Sequence, residues 1–99
     1  MYGTVARMRV KPGMEQKLLE LGRRSDMRAI PGLVAEAIYR LDGKADEYIL
    51  VVAFADKASY QANASSSEQH QRYLEIRELL AADPEWNDGE VVDSYRLGA

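Results

Sequence analysis

The sequence predicts an α+β fold in which two helical regions cover one face of a four-stranded antiparallel sheet, in the ferredoxin-like split βαβ order. Three observations carry this prediction. The apolar period is two over Tyr2–Val10 and Leu33–Leu41 but lengthens to a helical period from Met14 to about Met27 and again after Lys57. The polar segment Asp42-Gly43-Lys44-Ala45-Asp46 has the length of a hairpin loop, so the strands on either side of it should pair antiparallel. The stretch Tyr48-Ile-Leu-Val-Val-Ala-Phe54 has no charge, Gly or Pro, so both of its faces must be covered.

In the first strand Thr4, Ala6, Met8 and Val10 share one face and Val5, Arg7 and Arg9 the other, and Lys11-Pro-Gly13 ends it. The helix from Met14 to about Met27 puts Met14, Leu18, Leu21 and Ser25 on one stripe, with Leu19 beside it and Glu15, Lys17, Glu20, Arg23 and Arg24 elsewhere. Pro31-Gly32 stops that helix and turns the chain. The second strand, Leu33–Leu41, alternates Leu33, Ala35, Ala37 and Tyr39 against Val34, Glu36, Ile38 and Arg40. The third runs from Glu47 to Phe54. Asp56 caps a helix starting at Lys57, and the run Ser65-Ser66-Ser67 weakens it, because serine hydroxyls compete for backbone partners. Ser66 and Gln69 have capping-box spacing, so a second helix is expected over Glu68–Ala81, with Tyr73, Ile76 and Leu80 on one stripe. Asp83-Pro84 ends it, Trp86 follows in a loop, and Glu90–Arg96 is the final short strand.

Two helices from this chain cover one sheet face only. If Leu33, Ala35, Ala37, Tyr39, Tyr48, Leu50, Val52 and Phe54 form the helix-side layer, the open face carries Val34, Ile38, Ile49 and Val51, with Arg7 and Arg9 beside them. Either choice of layer leaves an apolar open face, which marks an interaction surface, and a homodimer packed sheet to sheet covers it most simply.

The chain has 99 residues, read as one domain over 1–99. A domain of that size buries roughly 60 to 65% of the surface of its unfolded chain, enough for a modest core. The formal net charge of -3 gives no reason to expect nucleic acid. There is no Cys, which excludes disulfides, zinc–thiolate sites and cysteine nucleophiles and is compatible with the cytoplasm, the expected location. No apolar run is long enough to cross a membrane, so no membrane partner is expected. No Gly-rich phosphate cradle and no convincing carboxylate pair is present, so no cofactor or metal is expected.

Some side chains nevertheless suit a site. His70 is the only histidine, and an unperturbed imidazole, with its pKa of about 6.5, suits proton transfer near neutrality. A helix-surface or satisfied core histidine is the plain alternative. Asn63 suits hydrogen bonding to a phenolate or ketone oxygen, or else simply sits where its helix frays. Tyr39, Phe54, Tyr60, Tyr73 and Trp86 suit the lining of a flat aromatic pocket, though aromatics at such spacing more often form core. Arg7 or Arg9 suits an anionic substrate or an enolate oxygen, with a salt bridge across the sheet as the alternative.

The pattern over Tyr2 to Val92 resembles the antibiotic biosynthesis monooxygenase family of dimeric α/β barrels. The likeness rests on Val5-Ala-Arg-Met-Arg-Val10 followed by Lys11-Pro-Gly13, the helix leading into Ile30-Pro-Gly-Leu33, the apolar strand ending at Phe54, and Ala55-Asp-Lys-Ala-Ser-Tyr60 with His70 in the next helix. The resemblance implies a dimer whose sheets pack into a barrel, with a pocket between sheet and helices in each subunit. It also implies one of several chemistries, among them oxygenation of aromatic substrates without a cofactor and haem degradation. On that likeness the expected activity is a cofactor-independent monooxygenase acting on a small aromatic or enolisable ligand, with His70 and Asn63 as catalytic residues. A non-catalytic ligand-binding or structural homodimer is the alternative. Haem degradation fits less well, since no Trp precedes Trp86 and the first strand offers Arg7-Met8-Arg9 in place of a pocket Asn.

Overall fold

The computed structural model describes residues 1–95. Its elements are β1 (Tyr2–Arg9), α1 (Glu15–Gly22), α2 (Ser25–Arg28), β2 (Leu33–Arg40), β3 (Glu47–Phe54), α3 (Lys57–Ala64), α4 (Ser67–Glu78) and β4 (Asp88–Glu90). The strands form one antiparallel sheet in the order β2-β3-β1-β4, with the helices on one face. This is the predicted ferredoxin-like split βαβ fold.

Four local features depart from the expectation. The first helix breaks in two, because Arg24 takes an extended conformation (ψ 142°) after Gly22. The Arg24 guanidinium there reaches Asp26 and Glu75, each at 2.6 Å, contacts a continuous helix would not present in this way. The last helix stops at Glu78, and Leu80 bridges Val10 instead of adding a turn. The final strand is Asp88–Glu90, paired with Tyr2–Thr4; residues 91–95 have no regular structure, and Arg96 lies outside the described residues.

The fourth departure matters most. β2 pairs Leu33 with Phe54 but Ala35 with Ala53, so one extra residue, Val34, enters the strand as a bulge. Alternation read straight through from Leu33 therefore has the wrong parity beyond it. Glu36 and Ile38 stand opposite Val52 and Leu50, in the layer that faces the helices, whereas Ala35, Ala37 and Tyr39 join Val5, Ile49 and Val51 on the open face. Leu33, Tyr48, Leu50, Val52 and Phe54 keep their expected side.

The main core cluster lies at one end of the helix-side layer. Met8, Val10, Leu18, Tyr48 and Leu80 are buried together, with Met14, Ile38, Leu50, Ile76 and Leu79 packed around them. A polar latch closes this end: Glu15 accepts from the Tyr48 hydroxyl at 2.7 Å and from Arg40 at 2.6 Å. The Tyr48 bond, followed by Arg40, holds the Glu15 carboxyl below its ordinary pKa.

At the other end two turns set the frame. Pro31-Gly32 forms a turn closed by Leu33 N to Ile30 O at 3.1 Å, and Gly32 adopts φ +83° with the Ser59 side chain 2.5 Å from where a Cβ would lie. Ser66 caps α4 by accepting from Gln69 N at 3.1 Å and donates to the Asn63 carbonyl at 2.7 Å, fixing the bend between α3 and α4. Ser66→Ala is expected to lower stability by about 1 kcal/mol, read as a lower urea midpoint at unchanged slope.

Candidate active site

Beyond the packed end, the helix-side layer is hollow. Between the sheet, α1–α2 and α3–α4 lies a cavity of about 990 Å³, lined by Thr4, Val52, Phe54, Tyr60, Asn63, His70, Tyr73, Trp86 and Glu36 among others. That is ample for a two- or three-ring ligand, and the mixture of aromatic walls with a few polar groups is typical of small-molecule sites.

The walls are built from the helices upward. α3 starts at its Asp56 cap, whose carboxylate accepts from Ser59 N at 2.7 Å. It presents Tyr60 edge-on to Tyr2 and Phe54, with ring centroids 5.1 and 5.5 Å away. The Tyr60 hydroxyl donates to Asp88 on β4 at 2.8 Å. Burial, then the Asp88 bond, pushes the Tyr60 pKa up to about 12, so Tyr60 remains a phenol at neutral pH. On the opposite wall Tyr73 of α4 packs at 49° against Trp86, centroids 6.4 Å apart, and Trp86 is 49% exposed at the rim.

Asn63 sits at the end of α3, on the cavity wall. Its side-chain oxygen accepts from Arg72 at 3.5 Å. A guanidinium has no acceptor, so the oxygen is the end that meets Arg72 and the NH₂ is the end free to donate to a bound molecule. Arg72 also donates to Gln69 at 3.2 Å and lies 3.8 Å from Asp26, which ties α2 to α4. His70, one turn into α4, lines the same cavity with an exposed side chain.

The cavity thus brings together His70, Asn63, Phe54, Tyr60, Tyr73 and Trp86. Arg7, Arg9 and Tyr39 lie elsewhere, on or beside the open face. Arg7 and Arg9 pair with Glu47 at 3.2 and 3.6 Å, beside Lys44 at 3.9 Å. Burial alone would raise the Glu47 pKa, yet these cations hold it below its ordinary value. Tyr39 is 52% exposed.

Two wall residues escape a reading of the sequence. Glu36 is hidden by the bulge, since nothing in Leu33-Val34-Ala35-Glu36 announces the extra residue. Asp88 lies before the predicted last strand; the legible signal was a carboxylate near the chain end able to pair with a tyrosine, too common a feature to single out.

The family model for antibiotic biosynthesis monooxygenase matches residues 1–76. Among solved structures, the cofactor-independent oxygenase SnoaB of Streptomyces nogalater, as an asparagine-to-alanine variant, superposes with a TM-score of 0.79 at 15% identity over 94% of each chain. A candidate antibiotic biosynthesis monooxygenase of Chloroflexus aurantiacus J-10-fl gives 0.74 at 22% identity over 98% of each chain. A conserved protein of Methanosarcina mazei Go1 gives 0.75 at 18% identity over 89% of each. These likenesses show the fold. No curated protein matches the chain. With its family match running through β1 to α4 and its sheet and helices arranged as in these structures, the chain belongs to the antibiotic biosynthesis monooxygenase family, part of the dimeric α/β barrel superfamily.

Proposed function

We propose that the protein is a cofactor-independent monooxygenase that oxidises a small aromatic, enolisable molecule with molecular oxygen. The observation that carries this reading is the cavity of about 990 Å³, which places the Asn63 amide and His70 among Phe54, Tyr60, Tyr73 and Trp86. Family membership and the likeness to SnoaB support the same chemistry.

In this reading a carbon acid flanked by aromatic rings and a carbonyl seats between the aromatic walls. Removal of one proton leaves an enolate, and the Asn63 NH₂ donates to the oxygen where negative charge gathers. The enolate carbon then supplies electrons to oxygen. The carbon loses two hydrogens and gains one oxygen as a ketone, and the second oxygen leaves as water. His70 is the proposed carrier of protons in this sequence.

The proposed partner is a second copy of the chain, docked through the open face. Val5 and Tyr39 are 45 and 52% exposed there, beside Ile49 and Val51, and sheet-to-sheet packing is the architecture of the superfamily.

Oxygen uptake with anthrone or naphthol probes tests the function. The protein should consume oxygen faster than buffer, and Asn63→Ala should lower kcat by roughly 100-fold, the usual loss for one oxyanion donor. Uptake no faster than buffer, together with unchanged behaviour of Asn63→Ala and His70→Ala, refutes the reading. Tight binding of the same probes without uptake points instead to a ligand-binding dimer.

A further inference from the structure

The wall of the cavity carries a carboxylate that the proposed reaction has not used. The bulge at Val34 turns Glu36 to the helix side, opposite Val52 and on the same wall as Leu33 and Ile38. On that face Arg40 is held by Glu15, but among the described residues Glu36 has neither an ion pair nor a side-chain hydrogen bond. Glu36 is exposed, at the open side of a largely apolar wall, so its unpaired carboxylate is available to a molecule seated in the cavity.

We propose that Glu36 is the general base that takes the proton from the substrate carbon, a role that rests on the oxygenase reading for the identity of the substrate. The Glu36 carboxylate accepts the proton and becomes a neutral acid. The C–H electron pair stays on the substrate as the enolate, so this step requires no oxidant. Asn63 donates to the enolate oxygen, and His70 is left to deliver the proton that the reduced oxygen later needs.

The surroundings suit that division of labour. Around the cavity the other titratable or charged side chains are Arg23 and Arg28 from the α1–α2 side, Tyr60 from α3, His70 and Tyr73 from α4, and Asp88 on β4. Asp88 is engaged by the Tyr60 hydroxyl, which leaves Glu36 as the free carboxylate. Burial raises the Glu36 pKa above its ordinary value, with Arg28 pulling the other way. A raised pKa makes the carboxylate a stronger base while water at the cavity mouth still lets it ionise.

The test is hydrogen–deuterium exchange at the CH₂ of anthrone, followed by NMR under nitrogen in D₂O, which isolates proton removal from oxygen chemistry. The protein should accelerate exchange, and Glu36→Gln should slow it by roughly 100-fold or more, with Glu36→Asp recovering part of the rate. The parent rate should fall as pH drops through the raised pKa, because only the carboxylate accepts a proton, and this limb should vanish in Glu36→Gln. Glu78→Gln, on the exposed side of α4, serves as the charge-matched control and should exchange like the parent.

Folding gives a second readout. A carboxyl whose pKa is raised on folding contributes stability below its unfolded pKa and loses it as pH rises through the folded value. Glu36→Gln should therefore melt higher than the parent at pH 8, with the difference shrinking as pH falls into the carboxylate range. Exchange that Glu36→Gln slows, without oxygen uptake in air, would sink the oxygenase reading and uphold Glu36 as the base. Equal exchange in the parent and Glu36→Gln, loss confined to His70→Ala, or no acceleration by the parent would each overturn the assignment.

Discussion

Val51→Glu should leave a folded monomer where the parent sediments as a dimer. Val51 lies at the middle of the open face, opposite Val5 of β1 and Ala37 of β2. The neighbouring row is Arg7, Ile49 and Tyr39, and the next is Gly3, Ala53 and Ala35. Small and β-branched side chains thus fill the centre, and the charges, Arg7, Arg9 and Glu47, gather at one end. In a two-fold dimer each substitution appears twice, so two carboxylates would enter one apolar interface close to the axis. An unpaired charge buried there costs several kcal/mol, comparable with the binding free energy of a micromolar complex at about 8 kcal/mol. The substitution does not touch the helix-side core, so far-UV circular dichroism should remain that of the parent. Sedimentation velocity at low micromolar concentration provides the measurement. A parent that is already monomeric there would remove the dimer from the proposal.

The second large effect is on stability. Leu80→Ala should destabilise the protein by about 2 to 5 kcal/mol in urea denaturation, the range for a buried leucine cut to alanine. Leu80 is 1% exposed and packs with Met8, Val10, Leu18 and Tyr48 in the main core cluster. Its backbone neighbours are also engaged: Lys11 N reaches Leu79 O at 2.8 Å and Ala81 N reaches Arg9 O at 2.9 Å. These bonds lock the chain after α4 alongside β1, which limits how far the site can collapse around a lost side chain. A domain of this size has only about 5 to 15 kcal/mol in total, so the loss is a large fraction of the whole. Leu74→Ala on α4, where Leu74 is 44% exposed, should cost far less. Equal losses for the two would show that the packed end contributes no more than the helix surface.

The hollow end explains why a protein with a modest core has a cavity at all. Apolar side chains such as Tyr60 and Tyr73 are present there, but they line a space instead of meeting across it. Such a wall has lower packing stability than a filled layer, and the polar ties of Arg24 to Glu75 and Arg72 to Asp26 brace α2 against α4 across it.

Much of this was legible in the chain. The change of period, the polar hairpin loop and the Pro-Gly turn are local signals, and each acts within a few residues of where it is read. They sufficed for the element order, the antiparallel pairing and the helix caps at Asp56 and Ser66. The expectation that Asn63, His70 and Tyr73 share a pocket came from the family resemblance, not from their spacing along the chain.

What remained hidden depends on pairing between distant segments. A bulge is visible only when β2 is laid against β3, and a single extra residue there reverses the side on which every later residue of the strand stands. That reversal sent Tyr39 to the open face and brought Glu36 into the cavity. The strand Tyr48–Phe54 by itself required a cover on both faces, and so pointed to a partner beyond the two helical regions. Only the tertiary structure decided which residues of β2 share each face with it, since parity is set by hydrogen bonds between strands and not by the order of residues within one.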